Sequence, residues 1–360
     1  MHRIMAALLL GFLPATTAPA EPLRPQHLLP VHFGGRVGAF DQISGYSHQW
    51  PGAYFEARFK GKAVTVNFND SENISAVYVD GVRVATETRP ALGYVTYDLA
   101  FDAEHTIRVE TLTESQKNAG AFVGFSVADT TSVLKAPKPR ARQIEFIGDS
   151  WTVGYGNISP KQECTEDEVW ATTDTSQAFG PLTAKRFDAD YQINAFSGRG
   201  VVRNYDGIAP GEPLPALYPY VLFDKETLYE DESWKPHLIV VGLGGNDFST
   251  PVKTGEKWPS EDALAADFEA SYVVFLKDLR QRHPNAFLLV TNYDGPKVAP
   301  HVDAVVAAMK AGGETRVDSV TLGEFALTGC HWHLDLNDHR KISAQLTQWI
   351  DTHPDLWSYK

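Results

Sequence analysis

The amino-acid sequence predicts two domains, an all-β sandwich or jelly roll followed by an α/β domain with a parallel sheet. Short segments that alternate apolar and polar residues run through positions 25–134, and this period of two is typical of strands with one buried face. Beyond a break at 135–142, strand-like and helix-like segments alternate through 143–360, which is typical of a parallel sheet covered by helices. The length of 360 residues and the hydrophobic content of 43% suit two ordinary soluble domains.

Residues 1–20 have the composition of a cleavable export signal. A positive charge at Arg3 precedes the apolar run 4–13, and Ala18-Pro19-Ala20 places small residues at both cleavage positions. The run is too short to span a bilayer, and charged residues interrupt every later apolar stretch. We therefore expect a periplasmic or secreted protein with no membrane contact after signal removal, an uncleaved anchor being the alternative.

The charge and the cysteine count exclude several classes of partner and site. The formal net charge is −13, whereas binding to nucleic acid or to an anionic membrane depends on lysine and arginine. Two cysteines are too few for a disulfide scaffold or a four-thiolate zinc site. In an oxidising compartment they predict a disulfide between Cys164 and Cys330, with two unpaired buried thiols as the alternative.

The β domain, residues 25–134, is expected to contain many short antiparallel strands. Segments 63–68 and 106–110 alternate strictly, and Asp80-Gly81 between two apolar segments readily adopts the positive φ angles of a tight hairpin turn. The linker that follows, 135–142, has two prolines, four basic residues and no large apolar side chain. We expect it to be a solvated hinge.

The α/β domain, residues 143–360, is expected to alternate five strands with four helices. Gly180-Pro181 should kink or restart the first helix, and a stripe of apolar residues at helical spacing marks the others. The predicted strands are 144–147, 191–196, 237–241, 286–291 and 317–322, and the predicted helices are 175–187, 261–282, 302–310 and 337–351.

Three of these strands end in glycine-rich polar turns. Gly148-Asp149-Ser150 follows the first strand, Ser197-Gly198-Arg199-Gly200 the second, and 242–247 the third. Because ligands bind beyond the carboxyl ends of parallel strands, these turns should lie together at one edge of the sheet. Cys330-His331-Trp332-His333 precedes the last helix and could present a histidine to the same edge.

The residue types in these turns match what acyl transfer requires. A serine hydroxyl becomes a nucleophile when a base accepts its proton, and histidine is the usual base near neutral pH. Backbone N–H groups at Ser150 and Gly198 and the Asn246 amide could donate to the oxyanion of a tetrahedral intermediate. Asp149 and Asp247 are expected to hold their turns through backbone hydrogen bonds.

Two other catalytic motifs are absent from the sequence, and a dinucleotide-binding motif is incomplete. There is no G-x-S-x-G nucleophile elbow and no P-loop in the sequence. Gly242-Leu243-Gly244 begins a dinucleotide-like pattern, but Asn246-Asp247 stands where the third glycine should come. No cofactor is therefore expected.

The ordered set of motifs resembles the SGNH (GDSL-type) hydrolases. Phe146-Ile147-Gly148-Asp149-Ser150 is similar to their nucleophile block, Gly198 to their glycine block and Gly244-Gly245-Asn246-Asp247 to their G-x-N-D block. Together with Gly329-Cys330-His331-Trp332-His333 and the preceding β domain, these blocks resemble carbohydrate esterase family 2 over essentially the whole mature chain. Members of that family pair an N-terminal β-sandwich with an SGNH domain and remove acetyl groups from sugars.

The resemblance implies a role for each matched residue. Ser150 would be the nucleophile and His333 the general base, and the N–H groups of Ser150 and Gly198 with the Asn246 amide would form the oxyanion hole. The reaction would pass through acetyl-Ser150, on acetylated xylan, mannan or oligosaccharides. Trp332 matches an aromatic residue that the family uses as a sugar platform, which suits an indole face; a core tryptophan beside a catalytic loop is the alternative.

The sequence departs from many SGNH enzymes at the residue that orients the histidine. They carry aspartate three residues before the catalytic histidine, where this chain has Cys330. The resemblance implies a serine–histidine dyad in which a backbone carbonyl orients the imidazole. An acceptor of this kind is needed because an imidazole in the wrong tautomer lowers the rate about 10⁴-fold. Asp335 and Asp338 follow His333, and neither is assigned as a third member. A Cys164–Cys330 bond would tie the histidine loop to the loop after the nucleophile.

Two other functions compete with the esterase. His331-x-His333 places two imidazoles on one face of an extended segment, and Asp335 or Asp338 could complete a site for a metal-dependent deacetylase. No further ligand occurs at a recognisable spacing, so no metal is predicted. A non-catalytic carbohydrate-binding protein is the other alternative, and the intact serine, asparagine and histidine argue against it. For the β domain, shaping the rim of the site is favoured over binding polysaccharide.

Overall fold

Two sheets of different kinds follow one another along the chain. The computed structural model describes residues 26–39, 45–292 and 297–358, so the predicted signal at 1–20 lies outside the described residues. Within these ranges a nine-stranded antiparallel sheet precedes a five-stranded parallel sheet, which confirms the predicted fold class. None of the helices in these ranges combines the length and apolar character needed to cross a bilayer.

The antiparallel sheet contains both very short and very long strands. They are β1 (His27–Leu28), β2 (His32–Gly34), β3 (Val37–Ala39), β4 (Tyr46–His48), β5 (Tyr54–Asn69), β6 (Ile74–Val79), β7 (Val82–Thr88), β8 (Gly93–Thr111) and β9 (Gly120–Val127). Their order is β3-β4-β9-β5-β8-β6-β7, while β1 pairs with β9 and β2 with β5. Asp80 and Gly81 form the predicted hairpin turn between β6 and β7, with φ of 49° and 79°.

The two longest strands fold this sheet around one core. β5 and β8 pair along almost their whole length, with a bulge between Gly61 and Ala63. An irregularity of this kind can reverse the face that a strand presents, so the core residues of β5 are odd-numbered before the bulge and even-numbered after it. They are Phe55, Ala57, Phe59, Val64, Val66 and Phe68, and all belong to one cluster. Both halves of β5 therefore cover the same core, as in a sandwich.

The parallel sheet has the order β11-β10-β12-β13-β14. Its strands are β10 (Arg142–Gly148), β11 (Ala189–Ala195), β12 (Leu238–Gly242), β13 (Phe287–Asn292) and β14 (Val317–Thr321). The helices are α1 (Ser150–Val153), α2 (Glu166–Ala171), α3 (Phe179–Arg186), α4 (Leu214–Leu217), α5 (Glu261–Arg282), α6 (Ala299–Ala311) and α7 (Leu336–Asp351). The strand order reverses next to β10, so the carboxyl ends of β10 and β12 flank the topological switch point where ligands bind.

Alternate residues of the central strand β12 pack against helices on opposite faces. Ile239 and Val241 lie in the core cluster that contains residues of α5 and α6, whereas Leu238 and Val240 lie in the cluster of α3 and α7. The strand is buried on both faces, as predicted. The helix expected at 175–187 begins only at Phe179, after a 3₁₀ turn, and Pro181 lies in its first turn, where a missing N–H costs least.

Buried charges join the two sheets at the predicted linker. Arg140 pairs with Glu56 of β5 at 3.0 Å and with Asp190 of β11 at 2.8 Å. Arg108 of β8 adds a second bond to Glu56 at 2.6 Å. The expectation of a solvated hinge over 135–142 is wrong for Arg140, because its guanidinium is held by carboxylates of both sheets, a contact no local pattern reveals.

Candidate active site

Ser150 lies where β10 passes directly into the short helix α1. Asp149 caps this helix, since its carboxylate accepts the N–H of Trp151 at 3.0 Å. Ser150 is 8% exposed, and it lines a cavity of about 190 Å³ together with Asn246 and His333. The structure thus brings the predicted nucleophile, base and amide to one edge of the parallel sheet.

The imidazole of His333 connects the serine hydroxyl to the main chain. His333 Nε2 lies 2.8 Å from Ser150 Oγ. On the other side of the ring, Nδ1 lies 3.0 Å from Cys330 O and 3.1 Å from His331 O. Because a carbonyl only accepts hydrogen bonds, Nδ1 carries the hydrogen and Nε2 is left to accept the serine proton. Backbone carbonyls thus occupy the place where many SGNH enzymes have aspartate.

A left-handed turn brings both carbonyls to the imidazole. His331 and Trp332 have φ of 51° and 57°, a conformation that costs about 1–3 kcal/mol at a non-glycine residue. A disulfide joins Cys330 to Cys164. The loop after the nucleophile approaches this bond at Gly156, where an added Cβ would lie 2.4 Å from that of Cys330. These connections hold the strained turn in place.

His331 and the two nearby aspartates are engaged in structural contacts. His331 Nε2 donates to Cys164 O at 2.7 Å, and Nδ1 accepts from Tyr155 OH at 3.0 Å. Asp335 caps α7, and Asp338 accepts two backbone N–H groups from the preceding loop. Among the described residues, no group of three histidine, cysteine, aspartate or glutamate side chains is placed to hold a metal. The ligands considered for a metal-dependent deacetylase are therefore directed elsewhere.

The environment of His333 favours the neutral imidazole. Burial lowers the pKa of His333 to about 4, although the two backbone carbonyls oppose the shift. The ring of Tyr155 lies 4.4 Å from the imidazole, centroid to centroid, and forms part of the enclosing wall. The base is consequently unprotonated well into the acidic range. Tyr155 was not predicted as a site residue; its place directly before Gly156, five residues after Ser150, is the only sequence signal for it.

Gly198 lies in a turn whose other backbone N–H groups all donate hydrogen bonds. From Phe196 to Arg203, every N–H except that of Gly198 donates to an acceptor in the described part of the chain. The acceptors are, in order, Gly148 O, Glu114 Oε2, Phe196 O, Asn204 Oδ1 and, for 201–203, Asp247. The Ser150 N–H also has no acceptor among the described residues. Gly198 has a φ of 79°, which a glycine adopts without strain.

Asn246 connects the turns that follow β10 and β11. Its Nδ2 donates to Asp149 Oδ2 and to Arg199 O, both at 2.9 Å. An amide nitrogen has two hydrogens, so Asn246 can serve an oxyanion only by sharing one of them or by releasing a partner. Asp149 holds its own turn, as expected, whereas Asp247, which was expected to hold its own turn, accepts N–H groups of the turn that follows β11.

Two exposed aromatic residues lie near the serine. Trp332, next to His333 in sequence, is 57% exposed, which excludes the core alternative for this residue. Tyr205 is 52% exposed and lines the cavity with Ser150. No sequence pattern distinguished Tyr205, because the turn that carries it has no motif of its own.

Two family models match the chain in succession. One, described as Carbohydrate esterase 2 N-terminal, matches residues 33–137, and the other, GDSL-like Lipase/Acylhydrolase, matches residues 144–350. The chain is also similar to an acetylxylan esterase / glucomannan deacetylase of Cellvibrio japonicus (strain Ueda107). The two are 42% identical over 362 aligned residues, which cover 99% of each chain.

Solved structures of similar proteins share the whole architecture. A carbohydrate esterase whose active site displays divergent catalytic and non-catalytic binding functions superposes with a TM-score of 0.86 at 42% identity, covering 92% of this chain and 100% of that one. A family two carbohydrate esterase from Clostridium thermocellum in complex with cellohexaose superposes with a TM-score of 0.78 at 26% identity, covering 91% of this chain and 99% of that one. The likeness therefore extends over both sheets.

Proposed function

The chain belongs to carbohydrate esterase family 2, and on this basis we propose that it is a serine esterase that removes O-acetyl groups from acetylated xylan, mannan or their oligosaccharides. The contact of 2.8 Å between Ser150 Oγ and His333 Nε2 carries the proposal. It supports the proposal because a serine hydroxyl and an imidazole of the tautomer that can accept its proton are the groups that nucleophilic catalysis needs, and the N–H groups of Ser150 and Gly198 have no acceptor in the described structure.

The first half of the reaction transfers the acetyl group to the enzyme. Ser150 Oγ attacks the acetyl carbonyl carbon while its proton passes to His333 Nε2, and the carbonyl π electrons move to the oxygen. The N–H groups of Ser150 and Gly198 stabilise the resulting oxyanion. As the intermediate collapses, the bond to the sugar oxygen breaks and that oxygen takes the proton from Nε2. Acetyl-Ser150 remains and the free sugar hydroxyl leaves.

The second half releases acetate. His333 Nε2 takes a proton from a water molecule, whose oxygen attacks the acetyl-Ser150 carbonyl and forms a second oxyanion in the same place. Collapse breaks the bond to Ser150 Oγ, which recovers its proton from Nε2. In both halves the transient imidazolium is stabilised through its Nδ1–H by Cys330 O and His331 O.

The size of the cavity favours a small acyl group. Its volume of about 190 Å³ is below the roughly 300–1,000 Å³ typical of pockets for drug-sized ligands. An acetyl group needs little space, and the attached sugar would extend outward toward the exposed rings of Trp332 and Tyr205. A long acyl chain would have no matching volume next to Ser150.

Acetate release tests the proposal directly. Wild type would be incubated with acetylated xylan, acetylated glucomannan and acetylated monosaccharides, with and without a chelator, beside Ser150→Ala. We expect release that survives chelation and disappears in the variant. Release that persists without Ser150 would refute the assigned nucleophile, and sensitivity to the chelator would favour the metal-dependent alternative. No release from any ester would favour a carbohydrate-binding protein.

The proposed place of action is the periplasm or the medium. The predicted signal at 1–20 and the Cys164–Cys330 disulfide agree on an oxidising compartment. Fractionation of cells that express the full chain, with N-terminal sequencing of the product, tests this; a product that begins at Glu21 outside the cytoplasm is expected. Retention of residues 1–20 in a membrane fraction would support the uncleaved anchor instead.

A further inference from the structure

Glu114 extends from the β domain to the turn that carries Gly198. It lies in the connection between β8 and β9, and its Oε2 accepts the backbone N–H of Ser197 at 2.9 Å. The two residues are 83 positions apart and lie in loops that follow strands of different sheets. Ser197 immediately precedes Gly198, so a carboxylate of the β domain fixes the residue next to a proposed oxyanion donor.

The backbone around Glu114 is itself held on both sides. The hydroxyl of Thr113 accepts a backbone N–H at 3.0 Å and donates to a side-chain oxygen at 3.1 Å, and Thr113 is 1% exposed. The carbonyl of Ser115 accepts from Gln49 Nε2 at 3.1 Å. The second carboxylate oxygen, Oε1, accepts from Gln116 Nε2 at 3.1 Å. Glu114 is thus a fixed support.

Hydrogen bonds and a nearby cation offset the burial of the Glu114 carboxyl group. Burial raises the pKa of Glu114, and the hydrogen bond from Ser197 and the nearby Arg199 guanidinium oppose that shift. The Arg199 guanidinium also interacts with Glu212, whose Oε2 lies 3.7 Å from Arg199 Nη2. Arg199 is therefore shared between Glu212 and Glu114.

Glu114 is the anchor on the amino side of Gly198. On the carboxyl side, Arg199 N donates to Phe196 O at 3.2 Å, and Arg199 O accepts from the Asn246 amide at 2.9 Å. The direction of the Gly198 N–H depends on both flanking residues. An oxyanion donor acts only when it is about 2.7–3.1 Å from the developing charge, so small displacements of this turn matter.

We propose that Glu114 is a positioning residue for the esterase reaction, which fixes Ser197 and so directs the Gly198 N–H at the oxyanion. The inference rests on the proposed function and extends it, because it gives the β domain a part in stabilising the transition state. Glu114 does not touch the reacting atoms and acts only through Ser197.

Kinetics of three variants test this proposal. Glu114→Ala removes the acceptor, and kcat for acetate release should fall about 10- to 100-fold with KM within about twofold, since loss of a whole oxyanion donor costs about 10²–10³. Glu114→Gln keeps an oxygen that accepts the same N–H and should restore kcat to within about threefold of wild type. Glu104→Ala removes an exposed carboxylate of β8 that pairs with Arg58 and should behave as wild type.

An inhibitor that forms a tetrahedral adduct distinguishes positioning of the Gly198 N–H from general support of the fold. An alkylboronic acid forms an adduct with Ser150 that places an oxygen in the oxyanion hole, so its inhibition constant should rise in Glu114→Ala by the factor by which kcat falls. Binding of an unacetylated oligosaccharide, measured by calorimetry, should not change. The melting temperature of each variant shows whether the fold is retained.

Two results would overturn the inference. Glu114→Ala with wild-type kcat and boronate affinity, whatever its melting temperature, would mean that Glu114 only joins the domains. Equal impairment of Glu114→Gln and Glu114→Ala would mean that accepting the Ser197 N–H is not its role. If wild type releases no acetate, or Ser150→Ala is fully active, the proposed function fails first and the inference with it.

Discussion

The two halves of the proposed catalytic centre are held in different ways. The serine half consists of Ser150, Gly198 and Asn246, which follow three neighbouring parallel strands and are linked by side chains of their own turns. The histidine half consists of His333 in a loop without strands, fixed by the Cys164–Cys330 disulfide and by main-chain carbonyls. A sheet edge can position groups locally, whereas a loop needs connections from distant parts of the chain.

The largest expected effect tests whether the two halves act as one unit. Ser150→Ala and His333→Ala should each lower kcat for acetate release by at least about 10⁴, and the double variant should be no worse than either, as for groups that act together in serine hydrolases. Single-turnover acetate release measures this, with melting temperatures to check folding. Additive losses would mean that the contact of 2.8 Å between their side chains is not the catalytic one.

The serine half was predicted in greater detail from sequence, and the reason is its locality. Strand–turn motifs placed Ser150, Gly198 and Asn246, because the carboxyl ends of neighbouring parallel strands meet at one edge. Asp247 and Glu114 both accept N–H groups of the turn that follows β11, and neither contact was predicted, because Asp247 was expected to hold its own turn. Glu114 lies in the other domain, and no local pattern marks a contact across 83 residues.

The fold shows the same distinction between local and distant information. Helix α5 occupies 261–282, as its apolar spacing predicts. The strand β5, in contrast, was predicted only as 63–68, although it extends over Tyr54–Asn69. Its alternation changes phase at the bulge, and residues such as Glu56 are buried by ion pairs with distant arginines rather than by apolar packing.

The second prediction concerns the Cys164–Cys330 disulfide, whose loss should affect the histidine half alone. Replacing both Cys164 and Cys330 with serine should lower the free energy of unfolding by about 2–5 kcal/mol, because the bond closes a loop with a sequence separation of 166. It should also lower kcat, since the strained turn that directs two carbonyls to His333 loses an anchor. Denaturant unfolding and acetate release measure the two effects.

Wild type treated with reductant is the matched control for the double serine variant, which should itself be insensitive to reductant. Gly156→Ala adds an independent check, since its new Cβ would lie 2.4 Å from Cys330 Cβ and would displace that residue. Unchanged stability and unchanged kcat after reduction would show that the histidine half does not depend on this bond.

The third prediction concerns pH and follows from the burial of His333, whose Nδ1 is bonded to two backbone carbonyls. The base is inactive when protonated, so kcat/KM falls as pH drops through the pKa of His333, which burial lowers to about 4. At pH 5 about nine-tenths of the enzyme should be active, about thirtyfold more than for a histidine of ordinary pKa. Acetate release avoids the titration of a phenolic leaving group, and the melting temperature at pH 4–5 checks folding.

A pH profile in which kcat/KM falls near pH 6.5 would contradict this view of the histidine half. It would mean that the imidazolium is stabilised about as well as in water, and that the two carbonyls offset the effect of burial. The comparison between the halves would then rest on stability alone.

The smallest expected effect lies at the rim, where Trp332 of the histidine half faces solvent. Because its side chain is 57% exposed, Trp332→Ala should leave the melting temperature unchanged. Loss of a stacking surface worth about 0.5–1.5 kcal/mol should raise KM for an acetylated oligosaccharide about 2- to 12-fold, with kcat unchanged. A small aryl acetate that has no sugar should show no change, and Trp332→Phe should retain part of the affinity. Equal losses on both substrates would mean that Trp332 acts by directing the left-handed turn toward His333, so that it would support the base and would not be a sugar platform.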